Sequence, residues 1–350
     1  MLKSFFGRRE WALWAWGGLF LLIGVTWLQV YLTVLLNSWY GTFYDILQKA
    51  DDIQAFWKSM IDFTYIAIPY IFIAMFAFYF AQHYSFRWRQ AITFHYLPHW
   101  ENTPHTIEGA SQRIQQDTYD FAKSLESLGL GLFRATLTLI AFIPILWTLS
   151  SKVSLPYLDH IEGSLVWVAL ITSIGGIVIS YFVGIKLPGL EYNNQRVEAA
   201  YRKQLVYSED DKSFAKIPSL MELFTGLRVN YFRMFNHYSY FTLWSTLYGQ
   251  MMIILPYLLM APSLFTGAIT LGVVTQTGNA FGKVNDSFSY LIDRWTDITK
   301  FISVIKRLNE FERHLIHGIE PDHPNLVTSP VDYPRSTSER SNESPNQSTS

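Results

Sequence analysis

Long apolar stretches separated by polar segments are the dominant pattern along this chain. The first runs from Trp11 to Leu36 without a charged residue, and others cover 63–82, 127–151 (interrupted by Arg134) and 163–185. A helix needs about 20 apolar residues to cross the hydrocarbon core of a bilayer. Each of these stretches therefore predicts a transmembrane helix.

A further uncharged stretch, from Tyr238 to Gly282, is too long for one crossing. As a single helix it would extend about 68 Å, roughly twice the thickness of the hydrocarbon core. Proline lacks the amide hydrogen of a helix interior and glycine relaxes the backbone, so Ala261-Pro262-Ser263 and Gly267 predict a break. We expect spans at about 238–260 and 267–300, which brings the predicted number of crossings to six.

The positive charges between these spans are distributed unevenly. If the N-terminus is cytoplasmic, the external loops are 37–62, 152–162 and 261–268, and they contain three lysines and no arginine. Almost all other basic residues then lie in internal segments, as the positive-inside rule requires. The sequence thus predicts an all-α, multi-pass membrane protein with both termini in the cytoplasm.

The two long internal segments, about 83–126 and 186–236, have the composition of helices rather than loops. Apolar residues recur at nearly 3.6-residue spacing in both, for example Ile107, Ala110, Ile114 and Phe121 in the first and Val197, Tyr201 and Leu205 in the second. We therefore expect transmembrane helices that continue into the cytoplasm from a domain covering 1–317. The segment 318–350 has five prolines and seven serines, a composition that predicts a disordered cytoplasmic tail.

Composition agrees with a membrane protein and narrows the classes of function. Charged residues make up 16% of the chain, against about 25% in soluble domains. The net charge of −1 gives no indication of nucleic-acid binding. The absence of cysteine excludes disulfides, thiolate metal sites and cysteine nucleophiles.

Two short patterns resemble ligand sites but do not satisfy their requirements. The segment Gly278 to Val284 contains Gly-Lys, yet it is one residue short of a P-loop and lacks the Ser or Thr that follows the lysine. His95 and His99 have a spacing that can bind zinc on a helix, but we expect Pro98 to interrupt that helix. We predict no metal, no cofactor and no ATP bound by this chain, and no enzymatic activity.

Several internal strings are similar to a known family. They are KLPGLE (186–191), NQRVEAAYRK (194–203), IEGA (107–110) with the polar residues up to Glu126, and IKRL (305–308). Over roughly 1–315 the chain resembles the SbmA/BacA peptide transporters of the bacterial inner membrane. Members of that family usually carry additional N-terminal membrane sequence, and they commonly have Glu where this chain has Gln116.

The resemblance implies a fold like the transmembrane half of an ABC exporter, with six long helices per subunit and two subunits per transporter. It further implies import of peptides, some of them antimicrobial, driven by the proton gradient without an ATPase. The expected partners are therefore a second copy of the chain, peptide substrates, protons and the lipid bilayer.

Carboxylates on the internal extensions are the candidates for proton coupling: Glu108, Glu126, Glu191, Glu198 and Glu209. Burial disfavours the charged form of a carboxylate, so it takes up and releases protons as its access to water changes. The alternative is an ordinary solvated helix face with pairs such as Glu198 and Arg202. The resemblance favours a proton-carrying role for at least one of the first four.

The last predicted span carries polar residues at steps of three and four: Thr275, Asn279, Lys283, Asp286, Tyr290 and Asp293. Polar groups facing lipid are costly, so this stripe predicts a lining of a water-filled cavity or a subunit contact. The alternative is a helix that has left the bilayer near Asp286.

Aromatic residues near the span ends are typical of membrane-interface belts. Tyr40 and Tyr44 are candidates for a peptide-contacting role at the periplasmic mouth, because their rings stack and their hydroxyls form hydrogen bonds.

With the resemblance, we expect a proton-driven peptide importer that alternates access as a homodimer. Two alternatives stay open. In the first, the chain is the membrane half of an ABC transporter whose ATPase is a separate polypeptide. In the second, it is a receptor or assembly factor that transports nothing.

Overall fold

A computed structural model describes residues 1–104, 107, 109–153 and 161–317, and this part of the chain is helical with no β-strand. Turns of π-helix at Leu13–Gly17 and Arg113–Asp117 lead into two of the long helices, and a 3₁₀ turn lies at Lys212–Phe214. The α-helices are α1 (Leu2–Phe6), α2 (Gly18–Lys49), α3 (Ile53–Glu101), α4 (Ala110–Gln112), α5 (Thr118–Ser150), α6 (Ser164–Gly184), α7 (Leu187–Asp210), α8 (Ile217–Phe265), α9 (Leu271–Asp293) and α10 (Trp295–His317).

Five helical runs in the described residues are long and apolar enough to cross a membrane: Leu13–Lys49, Ile53–Glu101, Ala110–Ser150, Ser164–Asp210 and Ile217–Phe265. Only 6–28% of the most apolar window of each run is buried, and side chains such as Phe20 (66%) and Phe72 (61%) are exposed. Such surfaces are stable in lipid rather than in water. The prediction of an all-α, polytopic membrane protein is confirmed. The helix α9 is more polar than these five, and the number of six crossings stays a prediction.

The predicted helical extensions are confirmed. α3 continues from its apolar part to Glu101, and α8 begins at Ile217, well before its apolar part. At 1.5 Å per residue each of these 49-residue helices is about 73 Å long, more than twice the hydrocarbon core.

The helix break predicted at Pro98 is wrong, whereas the break predicted between the last two spans, at 261–267, is confirmed. Pro98 lies inside α3 and Pro262 inside α8, which continues to Phe265. A proline removes one backbone hydrogen bond and can bend a helix without ending it, and Pro69 and Pro144 also lie inside long helices. The chain reverses around Gly267, one of the residues from which the break was predicted, and its φ of 73° is strained for other residues.

The described helices bury two separate apolar cores. One contains Phe5, Trp88, Phe121 and Leu308, and it joins α1, the end of α3, the start of α5 and α10. We call the end of the bundle that holds this core the terminal face. The other core contains Phe142, Met260 and Phe281 and lies towards the opposite end. The apolar positions Ala110, Ile114 and Phe121 of the first internal segment all contribute to the first core, so that predicted helix face is confirmed.

α9 extends between the two ends of the bundle. At its start the Asp45 carboxylate accepts a hydrogen bond from the Gly272 amide at 2.9 Å, and a Cβ on Gly272 would lie 2.0 Å from the Gly41 carbonyl oxygen. At its end the Tyr290 hydroxyl donates to the Leu128 carbonyl at 3.2 Å. Only glycine allows the close approach of α2 and α9 at Gly272.

α6, α7 and α8 form an arm that packs against α5 and α9. α7 and the first part of α8 pack chiefly on each other. This part of the arm exposes Leu205, Ile217, Met221 and Phe224. The predicted tail at 318–350 and the candidate Glu108 lie outside the described residues.

Candidate functional site

A cavity of about 790 Å³ lies between the arm and the helices α5, α9 and α10, near the terminal face. Its wall combines apolar and aromatic side chains, including Ile177, Tyr181, Phe241, Leu291 and Trp295, with five charged ones. The charged residues are Asp120, Glu191, Asp293, Lys300 and Arg307. We call it the terminal cavity. Sites for drug-sized ligands typically have about 300–1,000 Å³ and the same mixture of apolar wall and few polar groups.

A buried ion-pair cluster forms one side of this cavity. The Asp117 side chain is 1% exposed, and Arg307 donates to both of its oxygens, from Nη2 at 2.8 Å and from Nε at 2.9 Å. Arg113 donates a third bond at 3.0 Å. The hydrogen bonds that Arg307 donates to the Asp117 carboxylate raise the pKa of Arg307 above its usual value, so the guanidinium stays charged.

This cluster fixes α10 to the start of α5. The bidentate geometry is the strongest form of ion pair between side chains, because two parallel N–H groups meet two carboxylate oxygens. Sequence analysis did not include Asp117 or Arg307 among the site residues. The i,i+4 spacing of Arg113 and Asp117 could have indicated their ion pair from the sequence. Arg307 lies 190 positions from Asp117, so no local pattern indicates that contact.

The predicted proton-coupling residues lie in different environments. Glu191 lines the terminal cavity together with Asp120 and Asp293. Glu126 is buried, and its Oε2 forms a salt bridge with the Lys123 Nζ at 2.9 Å. Glu198 accepts a hydrogen bond from the Tyr231 hydroxyl at 2.8 Å, between α7 and α8.

Glu209 is exposed near the end of α7. Of the four described glutamates, Glu191 is therefore the one that combines partial burial with a position on the cavity wall.

The polar stripe of α9 is distributed over several surroundings. Thr275 donates to the Leu271 carbonyl and Asn279 is half-buried, while Lys283 and Asp286 are exposed. Towards the terminal face, Tyr290 packs over Gly131 of α5, where a Cβ would lie 2.0 Å from its hydroxyl. Asp293, the last of the stripe, lines the terminal cavity.

A polar network on another side of α9 was not found from the sequence. The buried Asn285 oxygen accepts from the Tyr248 hydroxyl at 2.8 Å and from the Ser173 hydroxyl at 3.1 Å. It thereby connects α9 with α8 and α6. Hydrogen bonds between helices are a usual means of specifying helix packing in a membrane.

Tyr40 and Tyr44 lie on α2 at the end opposite the terminal face. Both are half-buried, with ring centroids 6.4 Å apart. The neighbouring Trp39 stacks on Phe43 at 4.6 Å and donates its indole N–H to the Ser59 carbonyl. The two tyrosines thus belong to an ordered aromatic cluster between α2 and α3.

The predicted histidine pair is close in space. The His95 and His99 ring centroids are 4.9 Å apart, and His95 contacts Arg8 at 3.0 Å. No group of three or more metal-binding side chains occurs among the described residues.

Comparison with known proteins identifies one family and several relatives. The sequence profile of the SbmA/BacA-like family matches residues 8–316, nearly the whole chain. The inner membrane ABC transporter ATP-binding protein YddA of Escherichia coli is 26% identical over 315 residues, which are 84% of this chain and 55% of that protein. ABC transporter D family member 2, chloroplastic, of Arabidopsis thaliana is 29% identical over 69% of this chain and 35% of that protein. The chain therefore spans about half the length, or less, of these curated relatives.

Proposed function

The chain belongs to the SbmA/BacA-like family, and on that premise we propose that it imports peptides, including antimicrobial peptides, across the bacterial inner membrane. Protons moving down their gradient drive the import, and two copies of the chain form the transporter. Membership in a family of membrane transporters supports the general class. The peptide substrate follows from the family resemblance described above.

The terminal cavity is the observation that carries this proposal. It lies between the arm and the remaining helices, so a movement of the arm relative to α9 and α10 changes its shape and its access to solvent. Three carboxylates face it from α5, α7 and the end of α9. A site that holds substrate and titratable groups together is what coupled alternating access requires.

The N-terminus and α10 lie at the same end of the bundle, and the positive-inside rule assigns that end to the cytoplasm. The position of both ends of the described chain at one end of the bundle supports an even number of crossings. α9 begins beside Gly41 of α2 and its last turns contact Leu128 of α5. In this proposal α9 is the sixth crossing.

The decisive experiment is uptake of a labelled peptide by proteoliposomes that contain the purified chain. We expect accumulation when a pH gradient is imposed, and none when ATP is added without a gradient. An uncoupler should abolish the accumulation within the time of the assay. Uptake that depends on ATP and a second polypeptide would contradict the proposal.

A second candidate function is favoured by the names of the relatives, which describe ABC transporter ATP-binding proteins. In this alternative the chain is the membrane half of an ABC transporter, and the ATPase is a separate polypeptide. The nearest P-loop-like string, from Gly278 to Val284, lies inside helix α9 and follows no strand, so it does not have the context of a phosphate-binding loop. The same uptake assay distinguishes this alternative from proton-driven import, because only the alternative requires ATP. Co-purification of a stoichiometric partner with a P-loop, after mild detergent extraction, would support the alternative.

The proposed homodimer is supported by the arm. Outside its apolar part the arm exposes Ile217 (69%), Met221 (65%) and Phe224 (50%) on successive turns of α8. In water such a stripe is stable when another surface covers it, and a second copy related by two-fold symmetry is the commonest solution.

Single cysteines test this arrangement, because the chain has no native cysteine. We expect Met221→Cys to form a cross-linked dimer with a short thiol reagent in membranes. Glu209→Cys, at an exposed polar position on α7, is the matched control and should cross-link much less. Equal cross-linking of both variants, or full transport by monomeric particles, would contradict the dimer.

A further inference from the structure

The terminal cavity contains charges of both signs in a regular arrangement. Asp293 ends α9, and Lys300 lies seven residues later on α10. Around the junction the Arg294 amide donates to the Tyr290 carbonyl and the Ile298 amide donates to the Arg294 carbonyl, so the helical rise is maintained. Two turns separate the backbones of Asp293 and Lys300 by about 10 Å.

The other charged groups of the cavity have protein partners. Arg307 is held by Asp117 through Nε and Nη2, and its Nη1 donates to Ser303. An Asp120 oxygen accepts a hydrogen bond from Gln116 at 3.0 Å. Asp293 and Lys300, by contrast, form no salt bridge with any residue of the described ranges.

A ligand that reaches both groups must span about two helical turns, with an ammonium group at the Asp293 end and a carboxylate at the Lys300 end. An extended chain advances about 3.3–3.6 Å per residue, so peptides of about two to four residues have ends roughly 7–14 Å apart and cover this span. The apolar wall between the charged groups, formed by residues such as Trp295 and Phe241, offers contact for the side chains of such a peptide. The cavity volume of about 790 Å³ fits a ligand of this size rather than a long polypeptide.

We propose that the terminal cavity binds a short zwitterionic peptide of about two to four residues, with Asp293 holding its ammonium group and Lys300 its carboxylate. This inference rests on the proposed transport of peptides and assigns a ligand class to the cavity of a single chain. Charge-assisted hydrogen bonds at both ends provide the recognition, and the apolar wall tolerates different side chains.

The test is equilibrium binding of the radiolabelled tripeptide alanyl-phenylalanyl-alanine to the full chain, purified in detergent, with no gradient present. We expect N-acetylation or C-amidation of the tripeptide to weaken binding about tenfold or more, because each removes one charge-assisted contact. Asp293→Asn should remove the difference between the free and acetylated peptides. Lys300→Gln should remove the difference between the free and amidated peptides.

Matched controls are available on the same helix. Glu310→Gln and Lys306→Gln alter exposed charges of α10 that do not line the cavity, and they should preserve both differences. If a variant is poorly folded, the comparison of the three peptides on the unchanged protein still decides the question. Equal affinity for the free and blocked peptides would overturn the inference.

This result is separable from the proposed transport function. Gradient-driven uptake of longer peptides without binding of the tripeptide would refute the site and leave the transport proposal intact. Tripeptide binding without any gradient-driven uptake would support the site and contradict proton-driven import.

Discussion

Replacing Arg307 by methionine is expected to destabilise the protein by about 3 kcal/mol. Removing one member of a buried ion pair typically costs about 3–5 kcal/mol, since it leaves the other charge buried without its partner. Here Asp117 is 1% exposed and loses two of its three charged hydrogen bonds. Arg113 remains bound to it, so the cost should fall at the lower end of that range.

The chain provides a matched control for this experiment. Arg294 pairs with Asp297 at 3.2 Å, but the two side chains are 56% and 49% exposed. Exposed pairs contribute about 0–1 kcal/mol, so Arg294→Met should have little effect. Both variants lose one positive charge, so the difference between their free energies of unfolding reports the effect of burial.

A double variant tests the explanation itself. Combining Arg307→Met with Asp117→Leu removes the buried carboxylate as well, and Arg113, whose side chain is 24% exposed, can turn to solvent, so the double variant should be more stable than Arg307→Met alone. The free energy of unfolding is measured by denaturant titration in mixed micelles, with tryptophan fluorescence as the signal. If Arg307→Met is as stable as Arg294→Met, the cluster is not a structural anchor of α10.

The periodicity of apolar residues predicted the helical architecture because it reports directly on local structure. The long stretches of apolar residues predicted the positions of the five apolar helical runs. The recurrence of Ala110, Ile114 and Phe121 predicted a helix face, and these residues pack in the core that α10 joins. The break predicted at Pro98 was wrong, and the one predicted at 261–267 occurs at Gly267 rather than at Pro262, because a proline removes one hydrogen bond and can bend a helix without ending it. Local chemistry is a weak guide to where a long helix ends.

The site was predicted only in part, since its residues come together through tertiary contacts. Glu191 and Asp293 were selected for separate reasons, and the cavity unites them. The bond from Arg307 to Asp117 joins positions 190 residues apart, and the Asn285 network joins three helices. Neither leaves a spacing pattern in the sequence. Glu126 pairs with Lys123 three residues away, whereas Glu198 accepts a hydrogen bond from Tyr231, 33 positions away, and not from Arg202, the partner that its helical spacing suggested.

Replacing glutamate by glutamine at Glu108, Glu126, Glu191 or Glu198 is expected to abolish gradient-driven uptake at one position or more. The amide keeps the shape of the side chain and most of its hydrogen bonds, and it cannot titrate. Among the described residues, Glu191 is the first to test, because it lines the terminal cavity. Expression and membrane insertion should stay near normal, so the loss is measured as uptake per amount of inserted protein.

The energy of the gradient is sufficient for this coupling. A membrane potential of 100 mV supplies about 2.3 kcal/mol per charge, which supports roughly a fiftyfold concentration gradient of substrate. A variant that has lost its proton carrier should still exchange peptide across the membrane without accumulating it. Counterflow of labelled peptide therefore separates loss of coupling from loss of binding.

Two further variants make the result specific to titration. Glu222→Gln changes an exposed glutamate near the start of α8 and should transport normally. Gln116→Glu introduces a carboxylate at the position where members of the family commonly have Glu. Because the unchanged protein works without this carboxylate, the variant should not be needed for transport. If the four single variants and the quadruple variant all accumulate peptide at the normal rate, these glutamates are structural and another group carries the protons. Loss of accumulation with preserved counterflow at Glu191 would instead place the proton site in the cavity wall, beside the substrate whose movement it drives.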